Sequence, residues 1–115
     1  MLKEIPKATA LIVNPTHFAV AIRYDMESMA APRVLAKGKN YLAQRIRQIA
    51  FDHQVPIVEN APLAQALYKS AEVGQEIPPH LYRAVAEVLA YIYRLMRMAG
   101  GRPEGSNNRP EGSNR

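Results

Sequence analysis

Residues 8–24 read ATALIVNPTHFAVAIRY, and the fold turns on how this stretch is divided. Two runs, ATALIV (8–13) and HFAVAIRY (17–24), have the length and the β-branched or alternating character of strands. Phe18, Val20 and Ile22 fall on one face of the second run, and Arg23 and Asp25 mark its exit to solvent. Between ALIV and FAVAI stand Asn14, Pro15, Thr16 and His17. A tight hairpin turn accounts for an Asn-Pro pair. A peptide bond built to break accounts for it as well.

Outward from that turn, DMESMAAP (25–32) is a loop and RVLAKG (33–38) a third short strand closed by Gly38. From Asn40 the period lengthens: Leu42, Ile46, Ile49, Ala50 and His53 share one helical face. VPIVE (55–59) is a fourth strand, with Pro56 near its start where a missing N–H does least harm. Asn60 is placed to cap a helix over APLAQALYKSA, with Pro62 in its first turn. The stretch IPPHLYRAVAEVLAYIYRLMRMAGG holds the longest helix. Pro79 suits its first turn, and Leu81, Val85, Val88, Leu89, Ile92 and Met96 form its apolar stripe, which Gly100-Gly101 ends. Strands and helices together predict an α/β domain over residues 8–99, preceded by a frayed lead-in, MLKEIPK (1–7). In residues 100–115, RPEGSN occurs at 102–107 and again at 109–114 without one apolar residue. Such a tail cannot offset its ordering entropy, so disorder is expected there.

Length and composition bound the function. The 115 residues allow one domain, and 48% hydrophobic with 22% charged residues is an ordinary globular balance. Cysteine is absent, which excludes disulfides and thiolate metal sites. The apolar runs ALIV and FAVAI fall far short of the ~20 residues of a membrane helix, and the N-terminus lacks the apolar core of a signal peptide. A net charge of +5 suits an anionic partner or simply a basic surface. Within it, Arg33, Lys37, Lys39, Arg45 and Arg47 form a stretch with no acid among them. A basic nucleic-acid-binding module is therefore an alternative, although aromatic residues do not interleave with the cations as a stacking platform requires. A hydrolase using His17, His53 or His80 is disfavoured. The chain has no Gly-rich phosphate loop, no nucleophile elbow and no metal-ligand spacing. No cofactor is expected.

The Asn-Pro pair has a chemistry of its own. The side-chain amide nitrogen of Asn14 can close onto its own main-chain carbonyl, forming a succinimide and expelling the next residue. For most Asn-X bonds the following N–H attacks the side chain instead, giving deamidation. Proline has no N–H, so Pro15 blocks that route. Its tertiary amide also twists more readily out of plane, which makes it a better leaving group. A folded turn that holds the two groups as near-attack partners can contribute up to ~7–11 kcal/mol. Thr16 can bond the turn backbone, and His17 can move a proton or stabilise the developing oxyanion. Taken alone, His17 reads equally as a turn residue.

The sequence as a set resembles a known family. NPTHFAVAIRYD, APRVLAKG, VPIVENAPLAQALY and IPPHLYRAVAEVLAYIYRL are similar to the cytoplasmic domain of the FlhB/YscU family, the export-switch proteins of bacterial flagellar and injectisome type III secretion. The likeness runs from about Ala8 to Leu95 and leans toward the flagellar branch. It implies a small mixed four-stranded sheet surrounded by helices, cut by the chain itself between Asn14 and Pro15, with both pieces retained. It also implies that each molecule cuts once, so that the chain is not a turnover enzyme. The implied role is a substrate-specificity switch that docks flagellar export substrates, other export-gate components and a hook-length control protein. Arg33, Lys37, Lys39, Arg45 and Arg47 would then face acidic partners. The implied location is the cytoplasmic face of the bacterial inner membrane. The family's membrane domain and charged linker have no counterpart in these residues, so the chain is read as a fragment or a short stand-alone relative.

Overall fold

The uninterrupted apolar run at Ala10–Val13 is a strand buried on both faces. In the computed structural model, which describes residues 1–15 and 17–100, these four residues are at most 2% exposed. They belong to β1 (Ala10–Asn14), which is followed by β2 (Phe18–Arg23), β3 (Arg33–Lys39), α1 (Tyr41–Asp52), β4 (Ile57–Glu59), α2 (Ala61–Ser70) and α3 (Tyr82–Met98). The sheet order is β3-β2-β1-β4. β1 and β2 pair antiparallel, as do β2 and β3, whereas β4 lies parallel to β1. The expected mixed four-stranded sheet among helices is thus the observed fold. The expectations for Thr16 and for the tail over 101–115 lie outside the described residues.

Alternation along β1 sends its side chains into two separate cores. Ala10 and Ile12 join Val20, Ile22 and Val34 beneath Leu63 and Leu67 of α2 and Val85 and Leu89 of α3. Leu11 and Val13 pack with Ala19, Ala21 and Ala36 beneath Ala43, Ile46 and Ala50 of α1. A register shift opposite Ala21 and Ile22 leaves Leu35 as an extra residue in β3. This bulge lets Val34 and Ala36 serve opposite faces.

The α1 side of the sheet is built from small residues, so the helix sits close. A Cβ added to Gly38 would lie 2.6 Å from Cγ of Leu42 and 3.0 Å from Cδ1 of Ile46. That close approach explains the Ala36-Lys37-Gly38 sequence: the two small residues lie under α1, while Lys37 points to the α2 side, where its ammonium meets the carbonyl of Tyr68. Gly38→Ala should therefore lower stability by about 1–3 kcal/mol through overpacking, read as a lower urea midpoint at unchanged slope.

Several sequence boundaries shift, each for a physical reason. The lead-in is not frayed: Leu2–Lys7 forms a 3-10 helix that places Ile5, fully buried, in the core beneath α1. β1 starts later than residue 8, at Ala10, and just before it the Thr9 hydroxyl accepts from the Tyr24 N–H at 2.9 Å. It also runs one residue further, so that Asn14 itself pairs with Phe18. The fourth strand covers only Ile57–Glu59, and the Pro56 carbonyl accepts from the Leu11 N–H at 2.8 Å just outside it. His53 leaves the apolar face. It caps the exposed C-terminus of α1, its Nδ1 3.0 Å from the Ile49 carbonyl. Pro79 opens a separate 3-10 turn, Pro79–Leu81, and α3 begins at Tyr82. Asn60 caps α2 as expected, its Oδ1 accepting from the Leu63 N–H at 3.2 Å.

Candidate functional site at the Asn14-Pro15 turn

Asn14 is the last residue of β1 and stands opposite Phe18, the first of β2. The chain must reverse between them, and the reversal is fixed by one short bond. The His17 N–H donates to the Asn14 carbonyl at 3.0 Å. That carbonyl carbon forms the peptide bond to Pro15, so a backbone donor already polarises the group that an intramolecular nucleophile would attack. Asn14 is half-buried, whereas Pro15 and His17 are exposed. The His17 ring lies 6.1 Å from that of Phe18, centroid to centroid.

Three further contacts hold the turn in place. The Asn40 N–H donates to the His17 carbonyl at 2.8 Å, so His17 is gripped by its main chain at both ends. On the other side of β1, the Asn60 N–H donates to the Val13 carbonyl at 2.9 Å. Phe18 stacks on Tyr68 of α2 with centroids 4.8 Å apart. Asn14, Pro15, Phe18, Asn40, Gln44 and Arg47 are among the residues lining a cleft of about 10 Å³, room for about one water and no larger molecule.

The structure divides the cationic stretch rather than gathering it. Arg33 donates to the Gly74 carbonyl at 2.9 Å. Lys37 donates to the Tyr68 carbonyl at 2.8 Å, lies 5.0 Å from the Tyr68 ring centre and stands 3.8 Å from Glu72. Lys39 is exposed at the end of β3, while Arg45 and Arg47 are exposed on α1, and Arg47 borders the cleft. Asn40 and the Phe18–Tyr68 stack were not singled out by sequence reasoning. A single residue linking a strand to a helix was the one available signal for Asn40; the stack, which crosses elements distant in the chain, left none.

A larger groove of about 630 Å³ opens at the opposite end of β1 and β2, between Thr9, Tyr24, Met26, Tyr93 and Met96. Burial, reinforced by Tyr24 and Asp25, raises the Tyr93 phenol above its ordinary range. The Asn14-Pro15 turn lies away from this groove. Among the described residues no helix is long and apolar enough to cross a membrane.

With this geometry in hand, the family profile described as FlhB HrpN YscU SpaS Family matches residues 1–92. The chain belongs to that family. Its members are bacterial export-apparatus components. The flagellar biosynthetic protein FlhB of Salmonella typhimurium is 51% identical over 113 residues, covering 96% of this chain and 30% of that protein. The FlhB of Bacillus subtilis is 50% identical over 94 residues, covering 82% of this chain and 26% of that protein. The chain thus spans under a third of the length of these relatives. The crystal structure of the cytoplasmic domain of FlhB from Shewanella putrefaciens superposes with a TM-score of 0.76 at 43% identity, over 81% of this chain and 77% of that one. A mutated EscU C-terminal domain gives 0.75 at 31% identity, over 78% and 90%. These relatives lend no support to the nucleic-acid alternative.

Proposed function

We propose that this family domain is a self-processing switch within the flagellar export apparatus, cut once between Asn14 and Pro15 and held together afterwards by its sheet. The observation that supports it most directly is the Asn14 carbonyl, presented at the end of a rigid central strand with the His17 N–H 3.0 Å away. In the first step Asn14 Nδ2 attacks its own main-chain carbonyl carbon. Negative charge gathers on the carbonyl oxygen, where the His17 N–H stabilises it. The C–N bond to Pro15 then breaks, and the proton lost by Nδ2 goes to the departing proline nitrogen, directly or through His17. Water opens the resulting succinimide at either carbonyl. Ring opening leaves a terminal asparagine or its isomer on one piece and a secondary amine at Pro15 on the other.

Each molecule reacts once, so the product is a changed surface rather than turnover. Scission converts a closed turn into two termini beside Arg47. The exposed Lys39, Arg45 and Arg47 are then the cations best placed to meet acidic faces of export substrates, gate components or a hook-length control protein. Arg33 and Lys37 are engaged within the fold. The site of action is the cytoplasmic face of the bacterial inner membrane, where the longer relatives would anchor the domain. The intact mass of freshly purified, denatured protein tests the chemistry. Two pieces, 1–14 and 15–115, summing to the parent plus one water after ring opening, are expected. A single chain that persists for days with its fold intact refutes the proposal.

A further inference from the structure

Asn40 holds a backbone conformation that residues with a Cβ avoid. Its φ is 55° and its ψ −122°, far from the left-handed helical basin near ψ +30 to +60° that asparagine visits most readily. The cause is topological. β3 ends at Lys39 and α1 begins at Tyr41, so one residue must turn a strand into a helix. Glycine is the default at such a point. The asparagine side chain does not offset the strain by capping the helix, for it makes no capping hydrogen bond. The strained residue instead aims its main-chain N–H at the His17 carbonyl, 2.8 Å away. It also lines the cleft beside Asn14 and Pro15.

We propose that Asn40 is a positioning residue for scission: its main-chain N–H holds the His17 carbonyl so that the His17 N–H stays on the carbonyl of Asn14. The two bonds form a relay through a single residue, Asn40 to His17 and His17 to Asn14. Without the first, the His17 carbonyl loses its main-chain bond to Asn40, and the donor on the attacked carbonyl is held less firmly. The backbone angles that the one-residue link imposes at position 40 are what keep the donor aimed. The inference rests on the self-cleavage reading and adds to it a residue that touches no reacting atom.

The experiment compares scission rates of the whole chain at one temperature, well below the unfolding midpoint of every variant. Asn40→Gly accepts these angles and keeps the N–H, so it should cleave within about twofold of the parent. Asn40→Val cannot hold them comfortably and should cleave about ten- to a hundredfold more slowly. Should the valine variant not fold, an ester in place of the Lys39–Asn40 amide removes only the donor and should slow scission to the same degree. Hydrogen exchange at the His17 amide, read in an uncut Asn14→Ala background, should quicken in Asn40→Val and return to the parent value in Asn40→Gly. A folded valine variant or ester that cleaves at the parent rate overturns the inference. So does a glycine variant slowed as much as the valine one, since that assigns the effect to the side chain. A parent that never cleaves instead overturns the self-processing reading, and this inference with it.

Discussion

Asn14→Ala is expected to remain one polypeptide under denaturing conditions, while the parent separates into residues 1–14 and 15–115. The substitution removes the only nucleophile that can reach the Asn14 carbonyl within a five-membered ring. Intramolecular placement of that nucleophile supplies up to ~7–11 kcal/mol of barrier lowering, so its loss should stop the reaction on any laboratory timescale. The fold should survive. Asn14 sits at a strand end, half-buried, and its pairing with Phe18 and its bond from His17 use only the main chain. The measurement is intact mass over several days, with circular dichroism confirming that the variant melts within a few degrees of an unreacted parent. An alanine variant cut as fast as the parent would exclude the succinimide route and point to an external protease.

The second large effect concerns what happens after the cut. Residues 1–14 should stay bound, because β1 is a central strand paired with β2 on one side and β4 on the other. Ile5, Leu11, Ile12 and Val13 are all buried. At ~1.5–3 kcal/mol for each fully buried side chain, these four contribute on the order of 6–12 kcal/mol before the cost of association. The two pieces should co-migrate in native size exclusion and part only in denaturant, with a midpoint that rises with protein concentration. Ile12→Ala removes one of the largest of these contacts. In the uncut Asn14→Ala background it should cost about 2–5 kcal/mol. In the cut protein the same loss should appear as release of 1–14 from the body. Co-migration unaffected by Ile12→Ala would mean that β1 is not what joins the pieces.

The elements were legible where one physical signal dominated. ALIV read as a strand because a fully buried strand needs no polar alternation. The stripe from Leu81 to Met96 read as a helix because its apolar positions recur at 3.6 residues. Asn60 was legible as a cap because its side chain acts on its own helix, only three residues away. What escaped depended on distant partners. Ile5 looked like part of a loose end because the core that covers it, Leu11 and α1, lies elsewhere in the chain. Lys37 looked like a member of a basic patch, yet Tyr68 and Glu72 of a later segment engage it. At the turn, covalent chemistry alone marked Asn14 and Pro15 as candidates beside an ordinary-turn reading, because the reaction it describes lies within two adjacent residues. The grip on His17 by Asn40 could not, since it depends on a dihedral angle imposed by a one-residue link.

If the chain is cut as proposed, the parallel pairing of β1 with β4 has a mechanical consequence. A load applied through residue 1 against the far end of the domain then finds no covalent path across the turn. It is borne by the buried Ile5 and by β1, the strand pulled lengthwise between its two neighbours. Rows of hydrogen bonds loaded along the strand must give way together rather than one by one, so the nicked domain resists tension up to a sharp rupture force. The broken bond would turn a continuous tether into a latch, with its release force set by the buried Ile5 and five residues of sheet.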